Sequence, residues 1–539
     1  MRPNFKHTNA AKSPETRASG AESGAEFDFT HDLSIHTAGA IVDGRMQVAP
    51  SYEIWARCEA SHRVLRRCID EARHVYGITT GFGPLANRLV DPSDAVTLQQ
   101  NLVHHLASGL GDPLDWASAR AVCLARLSSI MKGYSGASRQ LIEALVKLLN
   151  SELAPVVPER GTVGASGDLT PLAHIVLSLQ GRGAFMDRSG AHLNGGAALV
   201  QLGLKPLDLG NRDGLALVNG TSAMTGIAVQ NALAAERCVS WSLALSAALL
   251  EVLQGRAEAW SPVLAEIRPH GGQHRATMEL NQRLDASDPG LHGRLSDRRL
   301  TAYNLEDQVG QDAYTLRCAP QVIGGVVDAV TWHRTIIEQE LNSVSDNPVF
   351  PNHEEALAIH GGNFMGQHVA LASDTLAMSV VVLAGFTERQ IARLTDEKLN
   401  GDLPAFLHLG TPGLNSGFMG AQVTATATVA EMRAVGPASI HSISTNGANQ
   451  DVVSMGTISS RQAQRQLAHC CDVIAILALC VAQAVDIRHQ TKTPNLSPAC
   501  RALYNQIREV SVRVDTDRPL SSEIADVSTL IRACEPRGP

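Results

Sequence analysis

Leu376-Ala377-Met378-Ser379-Val380-Val381-Val382-Leu383-Ala384-Gly385-Phe386 is apolar around nearly its whole circumference when wound as a helix. Such a helix has to be covered by neighbours on several sides. Comparable Ala-, Leu- and Val-rich segments run over 222–254, 320–342, 364–400 and 452–490, with helical rather than alternating periodicity. They exceed the usual length of a globular helix. The pattern predicts a mainly α fold, with a bundle of long antiparallel helices over 222–539 and a large oligomer interface. Ahead of it, Gly and Pro punctuate 77–84, 109–113, 155–171 and 181–196, so 31–221 reads as a separate, loop-rich region of short helices. Residues 1–30 read as a disordered tail.

Within 31–221, Ser93 after Pro92 is placed to cap a helix in which Leu98, Leu102 and Leu106 recur. That puts His105 on or beside the apolar face, in a buried role. A second helix is expected to start at Ser138, carry Leu141, Leu145, Leu148 and Leu149, and stop near Asn150. The most apolar run, Val473 to Val485 with Gln483 inside it, lies between Asp472 and Asp486. It falls short of the roughly 18 apolar residues that suggest a membrane span, so none is expected.

The 539 residues carry 45 Lys plus Arg against 53 Asp plus Glu, a net charge of −8 without long blocks of one sign. This argues against binding to a nucleic-acid backbone. The ten cysteines form no CxxC pair and follow no secretory signal, which fits reduced thiols in a cytoplasmic protein.

Walker, dinucleotide-binding GxGxxG, GxSxG and HExxH signatures are all missing. The nearest metal-like groups are His104 with His105, and His353, Glu354 and His360. Neither has the spacing that sets two ligands on one helix face, so no metal is expected.

The chemistry resides in Gly161-Thr162-Val163-Gly164-Ala165-Ser166-Gly167-Asp168-Leu169-Thr170-Pro171-Leu172-Ala173-His174. By residue type alone this is a glycine loop capped by Ser166 or Asp168 before a helix. Ala-Ser-Gly recurs at 18–20 and 107–109, so the setting distinguishes this copy. The fourteen residues closely resemble the active-site segment of the aromatic amino acid ammonia-lyase and aminomutase family, which includes histidine, phenylalanine and tyrosine ammonia-lyases. The resemblance continues in family order from about residue 70 to about 490.

The resemblance implies the ammonia-lyase (fumarase/aspartase-like) fold, a prosthetic-group domain over 31–221, and a homotetramer with active sites shared between subunits. It further implies that Ala165, Ser166 and Gly167 cyclise autocatalytically into 4-methylideneimidazole-5-one, with no external cofactor. Small residues suit the ring closure, in which the Gly167 nitrogen reaches the Ala165 carbonyl carbon. The product is an electrophile, which natural side chains do not supply. In His74-Val75-Tyr76-Gly77-Ile78-Thr79-Thr80-Gly81-Phe82-Gly83, Tyr76 matches the family's catalytic base and Gly83 lies in the same pocket-forming loop. A tyrosine with an ordinary pKa near 10 needs positive charge or hydrogen bonds directed at its oxygen to serve as a base.

Other matches follow. Asn219 resembles an asparagine near the prosthetic group, Tyr314 a second active-site tyrosine, and Arg317 the carboxylate-holding arginine, whose fork can grip two oxygens. Asn347 matches a further carboxylate-side contact. Phe364, Met419, Asn446, Asn449 and Gln450 occupy matching segments around the substrate pocket.

The pair facing the substrate ring is His105-Leu106. It is His-Leu in tyrosine-selective members, Phe-Leu in phenylalanine enzymes and Ser-His in histidine enzymes. An imidazole can bond a para-hydroxyl. Gln450 stands where histidine ammonia-lyases carry a glutamate, which disfavours histidine. The resemblance therefore implies deamination of L-tyrosine to trans-p-coumarate and ammonia, with a phenylalanine ammonia-lyase or a tyrosine 2,3-aminomutase as alternatives.

Overall fold

A computed structural model describes residues 24–284, 311–351, 358–491 and 496–538. The four long segments are helices, Ser222–Val252, Ala319–Leu341, Gln367–Thr395 and Gly456–Thr491. The last of these packs most extensively against Gln367–Thr395 and Ser222–Val252. Every residue from Val473 to Val485 is buried, and each large aliphatic side chain removed from water contributes ~1.5–3 kcal/mol. Gln483 is accommodated because its amide nitrogen donates to the carbonyls of Leu407 and Val514 while its oxygen accepts the Val514 N–H.

Among the described residues, three helices (Ser222–Val252, Gln367–Thr395 and Gly456–Gln490) are long and apolar enough to cross a membrane, by length and composition. Counting only the run Val473 to Val485 understated them, because alanine, cysteine and the flanking turns extend the apolar stretch. In the bundle, 72%, 56% and 89% of their most apolar windows are covered by protein.

Helix Ser222–Val252 joins two apolar cores. Up to Ala232 it packs into a core built mainly from residues 29–229, and from Ala235 onward into the core of the bundle. The N-terminal region adds three small sheets. Glu26–Phe27 pairs parallel to Gln47–Val48, Leu110–Pro113 antiparallel to Pro158–Arg160, and Ala184–Met186 lies between Ala154–Pro155 and His192–Asn194.

Two local expectations are corrected. Residues 24–30 are not tail, because Phe27 and Phe29 stack edge to face at 4.9 Å, Phe29 buried and Phe27 partly so; packing the two aromatic rings outweighs the polar composition around them. Residues 1–23 lie outside the described residues. The helix Ala95–Leu106 is preceded by a turn at Pro92–Asp94 whose cap is Asp91, which accepts from both the N–H and the hydroxyl of Ser93. A carboxylate with two lone-pair oxygens displaces serine as the cap. Ser138 does cap Arg139–Leu149, which stops at Asn150.

His333 lies on the buried face of Ala319–Leu341, and burial pushes its imidazole down to about 3. The folded state therefore holds it neutral. Its stabilising contribution is complete above the ordinary value of 6.5 and is lost as pH falls below that towards 3, at up to about 1.4 kcal/mol per pH unit. A His333→Leu variant is expected to show a flatter acid side in melting temperature between pH 6.5 and 4.5. Parallel curves for variant and parent would contradict this.

Candidate active site

The loop before helix Leu169–Leu179 turns on Gly164 and Gly167, at φ of +74° and +75°. A Cβ on Gly167 would lie 2.1 Å from the Gly220 carbonyl oxygen, so only glycine fits. The Asp168 N–H donates to that same oxygen at 2.8 Å. Ala165 and Gly167 are bridged across Ser166. The Thr162 hydroxyl donates to the Gly167 carbonyl at 3.0 Å, and the Met455 N–H to the Val163 carbonyl at 2.9 Å.

Two amides converge on Ser166. Asn219 Nδ2 donates to its carbonyl oxygen at 3.0 Å, and Gln450 Nε2 to its hydroxyl oxygen at 2.9 Å. Gln450 is oriented by its own oxygen, which accepts from the Thr445 hydroxyl and from Asn446 Nδ2, both at 2.8 Å. Asn219 is buried, and its Oδ1 has no partner among the described residues. Asp168 is fully buried and accepts from the Met224 N–H and the Thr457 hydroxyl. Burial pushes its carboxyl up to about 6.

Tyr76 stands on the neighbouring loop. The Gly83 N–H donates to its phenolic oxygen at 2.9 Å, and its ring meets Phe82 edge to face at 6.1 Å. The backbone N–H is thus aimed at the phenolic oxygen itself. His360 accepts the Tyr76 backbone N–H at 3.2 Å, while burial holds its imidazole below the usual range. A Cβ on Gly83 would lie 4.0 Å from Asn449 Oδ1, which places Asn449 beside the loop. Asn347 Oδ1 accepts the Gly361 N–H at 2.8 Å. Half-buried Phe364 lies between that point and Gly366, which rests on Met224.

Leu106 packs into the same core as Tyr76 and Phe82. His105, expected inward, is exposed. The buried side of its helix is formed by Ala95, Gln99, Leu102 and Val103, and His105 falls off that stripe. Its Nδ1 lies 3.0 Å from the Asn101 carbonyl, a pairing that requires Nδ1–H to donate. In the neutral ring, Nε2 is then an acceptor open to solvent.

Tyr314, Arg317 and Met419 do not join this group. The carbonyl of Thr315 accepts from Gln390 Nε2, which also donates to Ser246. Ser246 lies roughly 33 Å along its helix from Met224 at 1.5 Å per residue. Met419 opens helix Met419–Arg433 beside Phe418, whose N–H donates to Phe406; the next residue, Leu407, accepts from Gln483, roughly 40 Å along its helix from Gly456. At this far end Tyr314 is 69% exposed and the Arg317 guanidinium lies 4.8 Å from its ring centroid. One subunit therefore does not bring Arg317 to its own Ser166.

No group of three or more metal-ligating side chains is brought together among the described residues; His353 and Glu354 lie outside them. The sequence model described as "Aromatic amino acid lyase" matches residues 33–509. The chain belongs to the aromatic amino acid lyase family. It is 57% identical over 504 residues to a tyrosine ammonia-lyase of Cereibacter sphaeroides, an alignment that covers 93% of this chain and 96% of the relative. A histidine ammonia-lyase of Koribacter versatilis is 39% identical over 491 residues, covering 89% and 92%. Among solved structures, tyrosine aminomutase from Streptomyces globisporus matches with a TM-score of 0.87 at 35% identity, covering 94% of this chain and 96% of that one. The helical lyase fold follows.

The segment of this aromatic amino acid lyase fits the methylideneimidazolone its family implies. The turn is tight enough to exclude a Cβ at Gly167, the serine is clamped by two amides, and Asn219 retains an unpaired oxygen. Sequence reasoning passed over Arg126, Arg212 and Asp346, which lie behind Asn219 and Asn347. A signal was present for Arg126, a cation in the otherwise small and apolar run Ala119 to Met131, in which Arg120 is the other charge. Thr221, whose hydroxyl donates to half-buried Glu340, carried no such signal.

Proposed function

We propose that the protein is a tyrosine ammonia-lyase, converting L-tyrosine to trans-p-coumarate and ammonia. The 57% identity to a tyrosine ammonia-lyase over nearly the whole chain carries this reading. The methylideneimidazolone formed from Ala165, Ser166 and Gly167 supplies the electrophile for the substrate amine. Asn219 and Gln450 hold that segment. Tyr76, with the Gly83 N–H at its oxygen, takes the β-proton. Arg317 and Asn347 orient the carboxylate, and Tyr314 stands beside Arg317. Phe364, Met419, Asn446 and Asn449 shape the pocket.

Because Arg317 is remote from Ser166 within a chain, the reading requires sites assembled from several subunits, as in a homotetramer. Exposed Leu371, Met378 and Val382 on helix Gln367–Thr395 supply apolar surface for such contacts. The likeness to a tyrosine aminomutase structure keeps one alternative, in which the same residues act and ammonia is returned to the β-carbon.

His105 Nε2 is the acceptor available to a tyrosine hydroxyl. In a His105→Phe variant, kcat/KM for tyrosine relative to phenylalanine is expected to fall by about 100-fold or more. An unchanged ratio would remove His105 from the specificity site.

A further inference from the structure

Arg126 is 1% exposed on helix Trp116–Met131, itself buried almost throughout. Its Nη1 donates to the Asn219 carbonyl at 2.6 Å and its Nη2 to the Ser129 hydroxyl at 3.2 Å. Nη2 also lies 3.9 Å from Asp346 Oδ2. From the other side, Arg212 grips both oxygens of Asp346, at 3.2 and 2.9 Å, and donates to the Pro348 carbonyl at 2.7 Å. Two buried guanidinium groups thus share one buried carboxylate. Buried ion pairs are often replaceable by apolar packing without loss of stability, so stability is a weak reason for this arrangement.

What the cluster does is fix two turns. One is residues 219–220, where a Cβ on Gly220 would lie 2.3 Å from Arg126 Nη1. The other is 346–348, which carries Asn347. The consequence at the first turn is direct, because holding the Asn219 main chain determines where its side-chain amide points, and that amide donates to the Ser166 carbonyl oxygen.

We propose that Arg126 is a positioning residue for prosthetic-group formation, aiming Asn219 at the Ser166 carbonyl so that residues 165–167 close their ring. The inference rests on the proposed function. Ring closure joins the Gly167 nitrogen to the Ala165 carbonyl carbon. One water leaves with the Ala165 carbonyl oxygen and the amide hydrogens of Ser166 and Gly167. A second leaves with the Ser166 hydroxyl and its Cα hydrogen. As that Cα proton departs, negative charge develops on the Ser166 carbonyl oxygen, where a pre-aimed N–H stabilises it most.

The test uses full-length parent, Arg126→Met and Arg126→Lys, with Arg120→Met as control. Arg120 is equally buried in the same helix but bonds carbonyls of Val42, Leu149, Ser151 and Leu153, away from Asn219. Folded protein is isolated by size exclusion, and the mass of the Ser166 peptide is read. The parent peptide and the Arg120→Met peptide are expected to be lighter by two waters. Arg126→Met is expected to be dehydrated about tenfold less or worse, and Arg126→Lys to fall between, because a lysine keeps the charge but not the fork. Dehydration of both Arg126 variants to the parent level would overturn the inference. If Arg126→Met yields no folded protein, Arg126→Lys decides alone, a shortfall supporting the proposal and parity overturning it. A parent peptide that keeps both waters would instead remove the proposed function.

Discussion

Two variants that are each inactive, Ser166→Ala and Arg317→Met, are expected to recover activity when their chains are mixed in one oligomer. Ser166→Ala loses the hydroxyl that would leave during dehydration, and with it the proposed electrophile. Arg317→Met loses the fork proposed to hold the carboxylate. Each is expected to lower kcat/KM by about 1,000-fold or more, equivalent to ~4 kcal/mol. Within a chain the two positions sit at opposite ends of the bundle, Ser166 beside Asn219 and Arg317 beside the Gln390–Ser246 pair. On the proposed reading, a complete site therefore draws them from different chains. With equal, random mixing, about a quarter of the sites receive an intact copy of both. Co-expressed chains carrying different tags, purified for both tags and assayed on tyrosine, measure this. Activity no higher than that of the single variants would show that each chain completes its own site.

Gly167→Ala is expected to abolish dehydration of the Ser166 peptide. The added Cβ would lie 2.1 Å from the Gly220 carbonyl oxygen and 2.4 Å from its carbon, at a φ of +75°. Both neighbours are backbone, so the clash cannot be relieved by rotating a side chain. The left-handed conformation alone costs about 1–2 kcal/mol for a non-glycine residue. The overlap adds displacement of the 219–220 turn, which carries the Asn219 amide off the Ser166 carbonyl. Peptide mass and melting temperature together read the effect. Full dehydration at the parent melting temperature would show that the turn is softer than its contacts indicate.

The long helices were legible because their signal is local and repeated, as in Val473 to Val485. The site segment was legible through its likeness to a known family, since Ala165 to Gly167 alone are indistinguishable from the copies at 18–20 and 107–109. His105 was misplaced because a helical repeat of leucines locates an apolar stripe only to within a residue or two. The stripe runs through Gln99, Leu102 and Val103, and leaves His105 outside it. Arg126, Arg212 and Asp346 come together across more than 200 residues, and no local pattern records such a contact. The placing of Ser166 and Arg317 at opposite ends of the bundle was equally hidden, because helix length and direction decide it.

The most direct test is to incubate the purified protein with L-tyrosine and follow acrylate absorbance and free ammonia together. The account predicts that both rise in equal amounts, faster than with phenylalanine or histidine. Consumption of tyrosine into a β-amino acid, with little acrylate or ammonia, would contradict it.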